Sequence, residues 1–506
     1  MLTITLDMQK EASKLKRSLE KLIGFPRAST HLDLLISSMT EHNPFNSTAE
    51  ISDWLNELNT DDYFNVEQIS LIDLRKWYFD PYTGDLAHAT GGFFAIRGLE
   101  VSTNIGPVRK WTQPIIDQPK IGVLGIITKK IDGILYFLMQ AKAEPGNINT
   151  YQLAPTVQAT RSNYMRLHGG DPTPYVEYFL NGKKVKVLFD QHQSEQGARF
   201  YRKRNRNIII QIPEDEAIPL KPHYRWMTLG QIKRSMLKDN TVNMDARSVI
   251  SLISYCPENK PVKKQVNAAD LQDCLNNSPL VQNPISDYQI KLLTSDCANA
   301  AAQHSIEELL RGLSRKKFEA ELDTRLIPLH DVNDWMVTSH EISHKQGFYF
   351  SIIGTRVEST SREVPVWDQP IIKQRDSGIV GFITKEIKGV IHFLVQLKME
   401  SGNIDLLGMA PTVQCITGSY DPANLPPYVA EMLEPSHTSV VFDTMQSEEG
   451  GRFYREENRN LLLAGDEHFP IETPPMYLWV SLYQLKQFLI FNNFLNVETR
   501  SLLAFL

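Results

Sequence analysis

The sequence predicts an α+β protein made by tandem duplication of one mixed-sheet module with flanking helices. Three observations predict it. Shifting the chain by about 256 residues lays IGVLGIITKKIDGILYFLMQAKAEPGNINTYQLAPTVQ on SGIVGFITKEIKGVIHFLVQLKMESGNIDLLGMAPTVQ. From Gly122 to Gln158 roughly 20 of 37 positions are then identical without a gap, against a chance level near 6%, so the match is a duplication. Second, the repeat unit of about 180 residues far exceeds the roughly 20–50 of stacked solenoids, which makes it a duplicated domain. Third, each repeat reads as apolar, β-branched strands followed by an amphipathic helix, the pattern of a sheet covered by helices.

The elements follow in chain order. At 506 residues the chain is too long for one core and carries a prior of about two to four domains. Residues 1–65 read as an N-terminal helical segment: HLDLLISSMTEHN and STAEISDWLNELN have helical spacing, and the second opens on a Ser/Thr cap. Repeat one covers 66–255. GFFAIRGLEV, GVLGIITKKI and GILYFLMQAKAE are strands, the last two joined by an Asp132–Gly133 hairpin turn. VKVLFDQH and RNIIIQI are further strands, and TLGQIKRSMLKD is a helix. Residues 256–320 are a polar, Pro/Asn-rich linker followed by helices from about 285, counterparts of the N-terminal ones. Repeat two covers 321–506, with Lys388–Gly389 in the hairpin turn and SLYQLKQFLIFN as the helix.

Composition narrows the function. Lys and Arg total 53 against 59 Asp and Glu, a net charge of −6, which argues against a nucleic-acid partner. No apolar run approaches the roughly 20 residues of a membrane helix. The start, MLTITLDMQKEASKLKRSLEKLIGF, lacks the apolar core of a signal peptide, so a cytoplasmic location is expected. Cys256, Cys274, Cys297 and Cys415 form no C-x-x-C pair and read as inert thiols. No H-E-x-x-H, G-x-G-x-x-G, Walker or G-x-S-x-G pattern occurs, so no metal site is expected, nor a bound dinucleotide or a serine nucleophile.

Shared long polar side chains ask for more explanation than shared Gly, Phe or Ile, which packing alone retains. They are Gln140/Gln396, Lys142/Lys398, Glu144/Glu400, Gln158/Gln414, Glu195/Glu448 and Arg199/Arg452. Strand alternation puts Gln140, Lys142 and Glu144 on one face, either as a site or as a buried network that fixes the fold. After LAPTVQ comes a loop dense in hydroxyl, amide and guanidinium groups: Thr160, Arg161, Ser162, Asn163 and Tyr164. Arg161 can donate a forked pair of hydrogen bonds to phosphate, and the short polar groups suit a sugar; a capped helix start is the alternative. Repeat two reads CITGSYDP there and lacks the arginine. Arg199, Arg202, Lys203, Arg204 and Arg206 form either an anion pocket or a solvated basic face. Trp77 and Trp335 precede the repeats' first strands and suit stacking on a base or burial in a core, whereas Trp111 and Trp367 read as packing.

These blocks, together with W-x-Q-P-I, QSEQGARFYRKRNRN and RWMTLGQIK…DNTVNMDAR, resemble the NDP-hexose 2,3-dehydratases of deoxysugar biosynthesis over nearly the whole chain. The resemblance implies two tandem Nudix-like modules, a homodimer, a dTDP-4-keto-6-deoxyglucose-type substrate, no cofactor, and a downstream 3-ketoreductase. Its ligand-binding positions fall on Trp77, Thr160, Arg161, Ser162, Asn163, Tyr164 and Ser194 in repeat one. In repeat two they fall on Trp335, Thr417, Gly418, Ser419, Tyr420, Ser447, Glu448, Glu449 and Gly450. The implied reaction removes the C3 proton, acidified by the C4 ketone, and expels the C2 hydroxyl. Candidate acid/base groups are Glu144, Tyr164, Glu195 and His88, with Lys142 steadying the oxyanion; Glu144 and Tyr164 are preferred because they flank the ligand loop. The acidic Nudix box is missing from both repeats. That absence leaves open a non-catalytic nucleotide-sugar-binding or scaffold protein of degenerate modules, and it weakens a metal-dependent pyrophosphohydrolase.

Overall fold

The computed structural model describes residues 7–24, 29–164, 171–180, 184–256, 266–297, 301–416, 418, 420 and 422–506, the side chains of Ser162, Asn163 and Pro422 excepted. Strands of the two repeats build four sheets, two of five strands and two of seven. In the first large sheet the buried strands Gly122–Ile131 and Ile134–Ala143 form an antiparallel hairpin. Its turn residues Asp132 and Gly133 have φ of 46° and 82°, the doubly left-handed geometry that matches the twist of paired strands. Arg204–Gln211 joins Gly122–Ile131 in parallel, with Asn205 opposite Gly122, so the sheet is mixed. The second large sheet repeats this pattern: Gly378–Ile387 pairs antiparallel with Val390–Lys398 and parallel with Glu457–Gly465.

The small sheets exchange strands between the repeats. Phe64–Ile69, at the entry to repeat one, pairs with Phe350–Ser359 of repeat two. Leu322–Ile327 pairs with Ala95–Thr103 of repeat one. Each small sheet is therefore completed by the segment leading into the other module. Loops cross as well: Gly146 N–H donates to Gly450 O at 2.7 Å, and Gly402 N–H donates to Gly197 O at 2.7 Å.

Helices cover the outer faces of the large sheets. Met8–Ile23, Thr30–Met39 and Thr48–Asp61 share a core with the first large sheet, and Ser47 with Glu50 closes a reciprocal capping box on the third. On the second sheet, Leu292 of Asp287–Asp296 and Leu309 and Leu313 of Ile306–Glu319 take the equivalent place. The stretch read as linker contains a helix, Ala268–Asn276: Asn267 caps it, and Leu271 and Leu275, one turn apart, are buried. The thiol reading also changes. Cys256 and Cys297 form a disulfide, their Cα atoms 5.6 Å apart, while Cys274 and Cys415 are free. The Asp296 carboxylate accepts the Tyr255 N–H at 3.0 Å and brings the two segments together.

Between the modules lie the equivalent helices Met244–Ile250 and Val497–Leu503. Arg247 and Arg500 are fully buried there. Arg247 donates to Gln446 Oε1, Ser447 O and Ser501 Oγ, and Arg500 donates to Leu495 O, Ser248 Oγ and Ser194 O. Each guanidinium thus has its donors satisfied across the junction, as a buried charge requires. No helix among the described residues is long and apolar enough to cross a membrane.

Candidate active site

Lys142 is the last residue but one of the strand Ile134–Ala143, and Glu144 follows two residues on, so alternation brings both to one face. Lys142 Nζ donates to Gln158 O at 3.0 Å and lies 3.7 Å from Glu144 Oε1. Glu144 Oε1 accepts from Gln158 Nε2 at 2.9 Å, and Glu144 Oε2 is buried with no hydrogen-bond partner among the described residues. Asp245, in the first turn of Met244–Ile250, borders the same space. Burial pulls the Lys142 ammonium down, opposed by the Glu144 charge. Burial, then Glu449, Glu195 and Glu144, hold the Asp245 carboxyl well above the usual range.

These groups line a cavity of about 450 Å³ whose walls come from both modules. Module one supplies Lys76, Trp77, His88, Phe94, Gln158 and Thr160; module two supplies Arg362, Trp367, Asp368, Glu449 and Arg452. The walls are tied across the junction. Trp77 Nε1 donates to Asp368 O at 2.8 Å, and Arg362 Nη1 donates to Ala143 O at 2.6 Å, between Lys142 and Glu144. Arg452 sits 4.3 Å from the Phe94 ring centroid and donates to Gln118 Oε1. Trp77 meets His88 edge-on at 5.2 Å and Phe94 at 4.9 Å.

Charge in the cavity is finely divided. Burial lifts the Glu449 carboxyl to about 7, helped by Glu195 and Glu144 and opposed by Arg452 and Lys203. Burial also brings Lys203 down to about 8. For Asp368 burial acts upward, but hydrogen bonds from Arg356 and Arg75 outweigh it and hold the carboxyl at about 2. For Glu363 burial is likewise outweighed, by the charges of Arg362 and Lys142, again to about 2. The cavity thus holds two raised carboxyls, Glu449 and Asp245, beside two lowered ones, Glu363 and Asp368.

Of the residues singled out from sequence, Trp77, His88, Lys142, Glu144, Gln158, Thr160, Glu449 and Arg452 come together around this cavity. Arg161 is exposed, and Tyr164 packs against the first module's core, outside the cavity lining. The side chains of Ser162 and Asn163 and the residues Thr417 and Ser419 lie outside the described residues. Ser194 is buried, its carbonyl accepting from Arg500. Ser447 Oγ donates to Asn240 Oδ1 at 2.9 Å. Arg199 is the twin of Arg452: it lies 4.2 Å from the Phe350 centroid, near Trp335, which meets Phe350 at 4.8 Å. Glu448 accepts from Asn458 at 2.6 Å, as Glu195 accepts from Asn205 at 2.6 Å. Gly450 bonds Gly146 through its carbonyl, a Cβ at Gly418 would lie 3.3 Å from Asp376, and Tyr420 is exposed.

A family model described as NDP-hexose 2,3-dehydratase matches residues 48–253 and 306–506, which takes in most of both modules. The chain belongs to the NDP-hexose 2,3-dehydratase family. Three relatives in this dehydratase family each bear the name dTDP-4-dehydro-6-deoxy-alpha-D-glucopyranose 2,3-dehydratase. That of Saccharopolyspora spinosa is 39% identical over 92% of this chain and 93% of its own length. That of Amycolatopsis orientalis is 37% identical over 93% and 92%, and that of Streptomyces violaceoruber 39% over 90% and 96%.

Sequence reasoning about this dehydratase-family chain missed three kinds of cavity residue. Asp245 had a signal: the paired tails Asn243–Arg247 and Asn496–Arg500 carry an acid at the same place, Asp245 and Glu498. Trp367, read as packing, lines the cavity and donates Nε1–H to Gln369 at 3.0 Å. Arg362 and Glu363 had no signal, since they lie outside the matched blocks and reach the first module only through the fold.

Proposed function

We propose that this chain catalyses the 2,3-dehydration of a dTDP-4-keto-6-deoxyhexose in the cavity between its modules. The observation that carries the reading is the buried Lys142–Glu144 pair, with Glu144 Oε2 unpartnered, inside a cavity of a 2,3-dehydratase-family chain. In this reading Glu144 accepts the C3 proton, the C4 oxygen takes up the electron pair as an enolate, and Lys142 stabilises that oxyanion. Collapse of the enolate expels the C2 hydroxyl and leaves a C2=C3 enol, which loses its O3 proton and takes one up at C2 to become a 2-deoxy-3,4-diketo sugar. The ketone arrives with the substrate, so the reaction is redox-neutral. Trp77 offers an aromatic surface for the base, and Lys76, Arg362 and Arg452 offer positive charge for the diphosphate. Thr160 in the cavity lining supports a place beside the sugar for the start of the Thr160–Tyr164 segment.

Each module is read as Nudix-like, supported by its mixed large sheet with one parallel strand pair and helices outside. A homodimer, a cytoplasmic location and a downstream 3-ketoreductase belong to the same reading, carried by the family resemblance. The test is incubation with dTDP-4-keto-6-deoxyglucose and a trapping ketoreductase. Release of a 2-deoxy product is expected; intact substrate with no deuterium exchange at C3 in D2O would refute the reading.

A further inference from the structure

Each module sends the loop after its Q-S-E motif across the junction into the neighbour's site. Gly450, beside Glu449, bonds Gly146, two residues after Glu144, and Gly197, beside Gln196, bonds Gly402, two residues after Glu400. The two crossings are equivalent in backbone and different in chemistry. At the residue after the motif, module two offers a carboxyl, Glu449, and module one an amide, Gln196, which has no proton to give.

The carboxylates they meet differ too. Glu400 Oε2 accepts from Gly197 N–H and from Asn403 Nδ2, both at 3.2 Å. Its twin, Glu144 Oε2, is buried with no partner among the described residues. A Cβ built at Gly451 would lie 3.4 Å from Glu449 Oε1 and 3.5 Å from Glu144 Oε1, so the two carboxyl groups converge on one small space in the cavity. A β-elimination needs two such groups, one to take a proton and one to give it.

We infer that Glu449, reaching over from module two, is the general acid that protonates the departing C2 hydroxyl, opposite Glu144 of module one. The inference rests on the dehydratase reading above. In the step, the enolate's C4–O pair re-forms the ketone and its C3=C4 pair becomes C2=C3. The C2–O bond breaks with its electrons on oxygen, and that oxygen takes the Glu449 proton and leaves as water. Glu449 is left ionised and Glu144 protonated, and exchange with solvent restores both. The groups facing Glu449 are Glu195, Glu144, Asp245, Lys203 and Arg452. Their balance with burial leaves the carboxyl protonated up to about pH 7, as an acid at neutral pH requires.

The experiment follows wild-type, E449Q and E144Q proteins with dTDP-4-keto-6-deoxyglucose in D2O, reading C3 deuteration by NMR and 2-deoxy product by ketoreductase trapping. E449Q is expected to lose dehydration by about 10²–10⁴-fold while still exchanging C3–H; E144Q is expected to lose both. Dehydration by E449Q within about twofold of wild type, or equal loss of exchange and dehydration with dTDP still bound, overturns the assignment. Where E449Q fails to fold, E449D carries the test: dehydration slowed more than exchange is expected, and equal slowing overturns it. Wild-type protein that neither exchanges nor dehydrates would instead sink the dehydratase reading, a result separate from any defect confined to E449Q.

Discussion

Glu144 and Lys142 sit two residues apart at a strand end, and in the proposed reaction they take opposite tasks on one substrate. Glu144→Gln is expected to lower dehydration by about 10²–10⁴-fold and Lys142→Met by about 10²–10³-fold, read as kcat with dTDP affinity measured in parallel. Tyr164, packed against the first module's core, belongs to the short helix Arg161–Tyr164 and not to the cavity wall, so Tyr164→Phe should slow turnover by less than about tenfold. Arg247 tests structure alone: it is fully buried and donates to Gln446, Ser447 and Ser501. Arg247→Ala should destabilise by about 3–5 kcal/mol in chemical denaturation, because carbonyl and amide acceptors lose a buried charged donor. Glu144 and Lys142 were legible in the sequence because duplication kept long polar side chains that packing alone would not keep. Arg362 was not: its partner Ala143 lies 219 residues away in the chain.

Elements carry the junction between the modules. The hairpin turns were legible, since Asp132–Gly133 and Lys388–Gly389 hold the left-handed φ values that such turns demand. The capped helix after Ser47 was legible for the same local reason. The strand exchange was not. Phe64–Ile69 has the same alternating pattern whichever edge it joins, and only tertiary packing assigns it to Phe350–Ser359 of the other module. The helix Ala268–Asn276 was hidden by the polar, Pro/Asn-rich stretch around it, and Leu271, Cys274 and Leu275 mark the face it packs on the core. The crossing loops give a sharp test. A Cβ at Gly146 would lie 1.6 Å from Phe453 O, and one at Gly402 would lie 2.1 Å from Phe200 O. Either Gly→Ala change should destabilise by more than about 3 kcal/mol or prevent soluble expression, since the obstacle is backbone and cannot turn aside.

At the scale of the whole molecule, the two modules share sheets, buried arginines and one cavity, and their buried charges make stability depend on pH. Glu449 and Glu456 are raised from an ordinary 4.5 to about 7 and about 8, chiefly by burial, and Asp245 and Glu498 are raised too. Between pH 4.5 and the folded values these carboxyls keep protons that the unfolded chain has lost, so their contribution to stability falls as pH rises through that window. Glu363 and Asp368, both at about 2, act in the opposite sense and lose their contribution below about pH 4. The melting temperature should accordingly peak near pH 5 and decline towards pH 7 in a calorimetric series at constant salt.

In the proposed reaction the nucleotide sugar binds between the modules and touches both. A crystal soaked with dTDP would show where it sits. Nucleotide density is expected in the cavity beside Trp77 and Lys142, in contact with Arg362 or Arg452 of the second module. Density lying wholly within one module, away from Arg362, Glu449 and Arg452, would contradict it.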